Sequence, residues 1–162
     1  MKKIVIGSDK SGFILKEAVK AHLAEAGYEV EDCGTKNMDE PMPYFQVAPI
    51  LAKKIQDQEY EKGILICGTG MGMAVVANKF RGVYAAVCES TYAARMCRAV
   101  NDANVLTMGG WVTADVLGCE MADVFLDTGF TQGLEEWRQE FLRNAREEVF
   151  SLEEQIYTAK AK

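Results

Sequence analysis

The sequence predicts an α/β fold in which a five-stranded parallel sheet is covered by helices on both faces. Short runs of β-branched residues alternate along the 162 residues with segments whose apolar side chains recur at helical spacing. Such alternation favours parallel strands joined by right-handed crossovers. The length suits one domain with a substantial core, and an apolar content of 49% excludes a disordered chain.

Five segments are predicted as strands because they are short, rich in apolar residues, and bounded by glycine or polar turn residues. In chain order they are Lys3–Ile6, Tyr28–Cys33, Gly63–Cys67, Val83–Val87 and Asn104–Met108.

Helices are predicted between these strands from apolar residues at helical spacing and from glycines that end the pattern. The prolines 41, 43 and 49 predict an irregular loop that leads into the second helix. In chain order the helices are Phe13–Leu23 (stopped by Gly27), Tyr44–Gln58, Met71–Asn78, Thr91–Val100, Ala114–Leu126 and Leu134–Ala159.

We expect residues 1–133 to form the α/β layers and residues 134–162 a long C-terminal helix of the same domain. One apolar stripe on this helix could pack on its own domain, or it could meet a second subunit. The stripe consists of Trp137, Phe141, Ala145, Val149, Leu152 and Ile156.

Composition excludes several classes of function. With 24 acidic and 18 basic residues the net charge is −6, which disfavours binding to nucleic acid or to an anionic membrane. No apolar run approaches the ~20 residues of a membrane helix. Five cysteines without a CxxC pair or an export signal predict reduced thiols and a cytoplasmic location. His22, the only histidine, lies in a helical pattern, so a catalytic triad or a histidine-rich zinc site is not expected.

The segment Cys67-Gly68-Thr69-Gly70-Met71-Gly72-Met73, here called the glycine loop, lies between the third strand and the next helix. Its alternate glycines leave backbone amides uncovered beside a helix start, and this arrangement predicts an anion site for a phosphate, a carboxylate or an enediolate. Met73 stands where a dinucleotide fingerprint requires glycine, and no Walker motif is present. The alternative is a tight turn without a ligand.

Two side chains of the glycine loop are candidates for proton transfer. A thiol beside free amides and a helix start loses its proton more readily than an ordinary thiol, so Cys67 is a candidate base or nucleophile. Taken alone, however, a cysteine at a strand end is more often a core residue. Thr69 would face the same side and offer a hydroxyl group.

Other polar residues near strand ends allow two interpretations each. Asp9 could bind substrate or cap the first helix, and Lys10 could neutralise an anion. The segment 101–104 (Asn-Asp-Ala-Asn) is a turn by default, and Arg95 and Arg98 fit a solvated helix face. The remaining cysteines, 33, 88, 97 and 119, are interpreted as core residues.

Four segments together resemble the ribose-5-phosphate isomerase B and galactose-6-phosphate isomerase family, across roughly residues 1–138. They are Gly7-Ser8-Asp9 with Gly12-Phe13, the strand and glycine loop at 63–73, Ala77-Asn78-Lys79, and Asn101-Asp102-Ala103-Asn104-Val105-Leu106.

The resemblance implies a Rossmann-like three-layer α/β/α sandwich and a homodimer or tetramer with active sites at the subunit interface. It implies interconversion of aldose and ketose phosphates without a metal or an organic cofactor. Cys67 would move the proton between C1 and C2, with Thr69 assisting at the oxygens. The substrate-binding residues would be Asp9, Gly68, Gly70, Met71, Gly72, Met73, Asn101 and Arg138. To these the residues themselves add Lys10, which could neutralise the anion of the substrate.

The sequence departs from this family at residues that handle ring opening and phosphate. Lys10 replaces a usual histidine, and Val100 replaces the histidine to which ring opening is assigned. Trp111 and Leu134 replace two arginines, so that only Arg138 remains of the pair near the last helix.

These observations predict an aldose–ketose isomerase that acts through an enediol, with weaker activity on ribose 5-phosphate than on an open-chain or atypical substrate. The alternatives are a non-catalytic sugar-phosphate binder, such as a partner subunit, and a nucleotide- or flavin-binding module. The Cys-Gly-Thr base site disfavours the former, and the missing fingerprint disfavours the latter.

Overall fold

The computed structural model describes residues 2–159, in which eleven elements alternate along the chain. In order they are β1 (Lys3–Ser8), α1 (Phe13–Glu25), β2 (Glu29–Asp32), α2 (Tyr44–Gln56), β3 (Gly63–Cys67), α3 (Met71–Ala77), β4 (Ala85–Val87), α4 (Thr91–Ala99), β5 (Val105–Gly109), α5 (Asp115–Asp127) and α6 (Glu136–Ala159).

The five strands pair in the order β2-β1-β3-β5-β4, and every pair is parallel. Side chains alternate between the two faces of the sheet, as the pleat requires. Ile4 and Ile6 pack with α1, α4 and α5 on one face, whereas Val5 packs with α2 and α3 on the other. The predicted three-layer α/β/α fold is therefore confirmed.

The element boundaries differ from the predicted ones by a few residues. Pro49 lies inside α2, within the bounds predicted for the second helix, whereas Pro41 and Pro43 precede it. Pro49 is the sixth residue of this helix, so its missing N–H removes only the hydrogen bond to the carbonyl of Phe45. The buried side chains of α2, Val47, Ala48 and Leu51 among them, keep the helix on the sheet.

The helix α6 packs on its own domain by a face that the sequence did not predict. Leu142 is its one buried residue, Arg146 binds Asp102, and Phe150 stacks on Tyr84. The predicted stripe stays largely in solvent, with Trp137 69% exposed. Residues 160–162 of the predicted C-terminal segment lie outside the described residues. A single chain therefore leaves most of the stripe uncovered.

A buried lysine connects α1 to the end of β2. The Lys16 side chain is fully buried, and its Nζ lies 2.6 Å from Asp32 Oδ2 and 2.5 Å from the carbonyl oxygen of Thr35. Lys20 binds the same carboxylate at 3.2 Å. Burial by itself would raise the pKa of Asp32, but hydrogen bonds from Lys16, the Gly34 amide and Lys20 hold it below its ordinary value. The network holds the start of the loop that leads to α2.

We predict that Lys16→Met will lower the free energy of unfolding by about 3–5 kcal/mol, because it leaves a buried carboxylate without its main partner. Lys20→Met is the matched control. Since Lys20 is 31% exposed, its loss should cost no more than about 1 kcal/mol. Urea unfolding of both variants measures the difference, and equal losses would contradict the role of Lys16.

The pH dependence of unfolding gives a second measure of the same pair. The pKa of Asp32 is lower in the folded protein than in the unfolded chain. The ionised carboxylate therefore stabilises the folded protein fully above the unfolded pKa of about 3.9, and this stabilisation is lost as the pH falls through the lower folded value. The stability difference between the native protein and Lys16→Met should therefore shrink below about pH 4.

Candidate active site

The candidate site lies at the carboxyl ends of β1, β3 and β5, three neighbouring strands of the sheet. The chain passes from β1 to β2 on one side and returns across β1 to β3, so the strand order reverses between β1 and β3. Open parallel sheets bind ligands at such a reversal. The glycine loop and the loop after β1 flank this position.

Cys67 is the last residue of β3, and its side chain is 5% exposed at the start of the glycine loop. The backbone amide of Gly70 donates a hydrogen bond to Cys67 Sγ, with 3.2 Å between nitrogen and sulfur. This bond fixes the thiol at the start of the glycine loop, while the residue also packs with the buried side chains of α2 and α3, as the core interpretation predicts.

The glycine loop carries a hydroxyl group and free amides close to Cys67 in the chain. Thr69 Oγ1 accepts a hydrogen bond from the Met71 amide at 3.4 Å. The amides of Gly72 and Met73, in the first turn of α3, have no acceptor within residues 2–159, as is usual at a helix start. An oxyanion placed beside Cys67 would find free donors there.

The loop after β5 packs directly on the glycine loop. The amide of Gly110 donates to the carbonyl of Cys67 at 2.7 Å, and that of Trp111 donates to the carbonyl of Gly68 at 3.0 Å. The Trp111 side chain lies against Gly68, where a Cβ atom would come within 2.8 Å of its ring. Sequence reasoning treated Trp111 only as a departure from a family pattern, so its contact with the glycine loop is new.

Asp9 directly follows β1 and lies near Cys67, since its amide donates to the carbonyl of Ile66 at 3.3 Å. Its Oδ1 accepts a hydrogen bond from the Gly12 amide at 3.0 Å, just before α1. Burial raises the pKa of Asp9 above its ordinary value, against the opposing effect of the hydrogen bonds from Gly12 and Ser11. The structure thus gives Asp9 a role in holding its loop, while Lys10 next to it is exposed.

Three comparisons with known proteins agree with this arrangement. Residues 4–141 match the family model described as Ribose/Galactose Isomerase. The chain belongs to the ribose/galactose isomerase family. The predicted resemblance and the predicted aldose–ketose isomerase activity are confirmed.

Individual members of the family are similar over most of the chain. A 4-deoxy-4-sulfo-D-erythrose isomerase of Clostridium sp. (strain MSTE9) is 68% identical, over 96% of this chain and 98% of that protein. Ribose-5-phosphate isomerase B of Escherichia coli (strain K12) is 45% identical, over 78% of this chain and 82% of the relative. The solved structure of Clostridium thermocellum ribose-5-phosphate isomerase B superimposes with a TM-score of 0.84 at 36% identity, covering 95% of this chain and 99% of the other.

Two residues that the family resemblance assigned to the site lie elsewhere in a single chain. Asn101 lies before the first residue of β5, Val105. Cys67 pairs with Gly109, four residues further along β5, which corresponds to about 13 Å at about 3.3 Å per strand residue. Arg138 lies near the start of α6, after a turn whose Thr131 amide binds Ala99 at the same end of the sheet. No hydrogen bond or ion pair within residues 2–159 joins Arg138 to the glycine loop. One chain therefore does not assemble the full predicted set.

His22 and the other cysteines agree with their simpler interpretations, but the solvated face predicted for Arg98 is wrong. Arg98 is buried, and its Nη1 donates to Asp102 Oδ1 at 2.9 Å and to the carbonyl oxygen of Ala103 at 2.6 Å. His22 Nε2 lies 2.8 Å from Asp123 Oδ1, so this pair joins α1 to α5 and takes no part in the glycine loop. Cys88 and Cys97 are buried, and Cys33 and Cys119 are half-buried. Within residues 2–159 no helix is long and apolar enough to cross a membrane. In the same range no three potential metal-ligating side chains cluster.

Sequence reasoning missed Tyr44 at this site. Its ring lies against Gly72 of the glycine loop, at 3.1 Å from the position of a Cβ atom there, and it is 39% exposed. The sequence pattern predicts only that Tyr44 begins a helix, and no pattern in the sequence joins it to Gly72.

The backbone of Gly70 permits a direct test of the loop. Its φ is +79°, and a Cβ atom there would lie 3.0–3.1 Å from the backbone of Met108. Gly27 has a similar φ of +87° with open space around it. We predict that Gly27→Ala will cost about 1–2 kcal/mol from backbone strain alone. Gly70→Ala should cost about 1–3 kcal/mol more because of overpacking.

Thermal or urea unfolding of the two variants measures this difference. Equal losses of stability would show that the glycine loop can move away from β5.

Proposed function

We propose that this chain isomerises a four-carbon, open-chain sugar with a terminal anion, with 4-deoxy-4-sulfo-D-erythrose and 4-deoxy-4-sulfo-D-erythrulose as the pair of substrates. The observation that carries the proposal is the Cys67 thiol, held by the Gly70 amide at the start of a loop of free amides. The 68% identity to the 4-deoxy-4-sulfo-D-erythrose isomerase supports this substrate.

In the proposed reaction the Cys67 thiolate removes the proton from C2 of the aldehyde. The electron pair moves to form a C1–C2 double bond, and the resulting enediolate carries its negative charge on oxygen. Free amides of the glycine loop donate hydrogen bonds to that oxygen, and the Thr69 hydroxyl helps to move a proton between O1 and O2. Cys67 then returns its proton to C1, which gives the 2-ketose.

The four-carbon chain length follows from the chemistry of ring opening. A cyclic sugar must open before C2 can lose its proton, and this step needs a group that moves a proton between the ring oxygen and O1. Val100 stands where the resembled family has a histidine, and it cannot carry a proton. A tetrose whose C4 bears a sulfonate or a phosphate has no free hydroxyl at C4 to close a stable ring, so it needs no such group.

The cations available favour an anion of low charge. A sulfonate carries a single negative charge, whereas a phosphate monoester carries about −1.5 to −2 at neutral pH. Trp111 and Leu134 replace two arginines of the family pattern, so Lys10 and Arg138 are the cations that we assign to the anion. Fewer cations suit a sulfonate better than a phosphate.

We further propose that the active unit is a homodimer whose sites lie at the interface. Asn101 and Arg138 lie at the end of the sheet opposite to Cys67, so a second copy would have to bring them to the glycine loop. The exposed stripe on α6 is a surface that this copy would cover. The odd number of cysteines supports a reducing location, and we propose the cytoplasm.

A substrate panel tests the function. We expect the highest kcat/KM with 4-deoxy-4-sulfo-D-erythrose, a lower value with erythrose 4-phosphate and the lowest with ribose 5-phosphate. Proton exchange with solvent at C1 or C2, followed by NMR, measures the reaction. A clear preference for ribose 5-phosphate would sink the proposal, and exchange with none of them would indicate a non-catalytic binder.

Replacing the base tests the mechanism in the same assay. Cys67→Ser should keep the fold and lose about 10²–10⁴-fold in turnover, because a hydroxyl is a much weaker base than a thiolate. Cys119→Ser, at a half-buried thiol on α5, is the control and should retain full activity. Near-normal turnover in Cys67→Ser would remove Cys67 from the mechanism.

A mixing experiment tests the shared site. Cys67→Ser and Arg138→Ala should each be inactive alone, but a dissociated and reassociated mixture should regain about a quarter of native activity, since about half of the dimers are mixed and each holds one intact site. No recovery, in a mixture shown by mass spectrometry to contain mixed dimers, would place Cys67 and Arg138 in the same subunit's site.

A further inference from the structure

Trp111 is held in place over the glycine loop by two backbone hydrogen bonds. Gly110 and Trp111 donate in succession to the carbonyls of Cys67 and Gly68, at 2.7 and 3.0 Å. These bonds belong to the backbone and do not depend on the indole itself. The backbone of residue 111 is therefore held beside the glycine loop by the way β5 ends, whatever side chain stands there.

The indole presents one face to Gly68 and leaves the other in solvent. A Cβ atom at Gly68 would lie at the same 2.8 Å from the adjacent ring atoms Cδ2, Cε2 and Cε3, so the ring faces this glycine. The residue is nevertheless 72% exposed. A large apolar ring that stays in water gains no free energy from burial. Such exposed rings are typical of surfaces that contact a ligand or a partner.

Two aromatic rings border the glycine loop, one near each end. Trp111 lies on Gly68, and Tyr44 lies on Gly72. Cys67 directly precedes the residue that Trp111 contacts, and the free amides of Gly72 and Met73 lie at the Tyr44 end of the loop. A substrate whose C2 reaches Cys67 therefore has an uncharged wall beside it on the Trp111 side.

We infer that Trp111 is a specificity-determining residue that limits the number of carbons between C2 and the terminal anion. This inference rests on the function proposed above. A five-carbon substrate has one more CHOH group, and its hydroxyl would lose water against the indole without gaining a hydrogen bond. A four-carbon substrate lacks this CHOH group, so its anion can extend past the indole without placing a hydroxyl against it. Discrimination by one such group is worth roughly 10–200-fold in kcat/KM.

Paired substrates with the same anion isolate the effect of chain length. For each variant, the selectivity is the kcat/KM measured with 4-deoxy-4-sulfo-D-erythrose divided by the value measured with 5-deoxy-5-sulfo-D-ribose. Ring opening of the five-carbon sugar in solution is the same for all variants, so it does not affect their comparison. We expect Trp111→Ala to lower this selectivity about tenfold or more and Trp111→Phe to retain most of it.

Val116→Ala is the matched control, since Val116 lies on α5 and is 73% exposed. It should leave the selectivity unchanged. An unchanged selectivity in Trp111→Ala would overturn the inference while leaving the proposed isomerase in place. A fall that appears only where sedimentation shows a dissociated protein would also overturn it, because Trp111 would then serve the interface.

Fluorescence tests the contact without turnover. The chain has two tryptophans, so Trp137→Phe leaves Trp111 as the single reporter. Titration of this variant with D-erythronate 4-phosphate, a stable carboxylate analogue of the aldose, should change the emission saturably, whereas Trp111→Phe should show no such change. If the native protein isomerises none of the sugars, the proposed function fails, and this titration still decides whether Trp111 borders the binding site. No response in Trp137→Phe would overturn the inference.

Discussion

The loops that follow β3 and β5 approach each other so closely that the contact between them accepts only glycine. A Cβ atom at Gly109 would lie 2.7 Å from Thr69 Cα. Because β3 and β5 pair in parallel with Cys67 opposite Gly109, both loops leave the sheet at the same level. This one register places the thiol, the loop amides and the Trp111 ring together, and the geometry of the site depends on it.

The residues assigned to the proposed site lie at opposite ends of the sheet. The carboxyl end holds Cys67 and the free amides, whereas the amino end carries Asn101 and the start of α6. The helix α6 is attached there through Leu142, Arg146 and Phe150 on one face, and its exposed stripe lies on another. A helix that packed the stripe on its own domain would make the stripe unavailable to a second copy. Because α6 is attached by its other face, the stripe remains exposed, as the proposed shared site requires.

Much of the fold could be predicted because strand runs and helical spacing are local signals. The position of the glycine loop at a ligand-binding edge followed from topology alone. Contacts between distant segments could not be predicted in this way: nothing in the sequence distinguishes Lys16, which is fully buried, from the solvated lysines around it. Trp111 and Tyr44 were missed as neighbours of the glycine loop for the same reason, since only the folded chain brings their rings to Gly68 and Gly72. The face by which α6 packs depends on Tyr84 and Asp102, which belong to other elements.

The absence of a histidine at residue 100 and the presence of an indole at residue 111 are consistent with one kind of substrate. An open-chain aldehyde needs no acid to open a ring, so a valine at residue 100 does not slow its isomerisation. Its enediolate still needs strong stabilisation, and hydrogen bonds to an anion strengthen as water is excluded. An indole that packs on Gly68 keeps water from the part of the loop next to Cys67, which a flexible charged side chain would do less well. On the proposed function, the residue that limits the length of the sugar therefore also supports the proton transfer beside it.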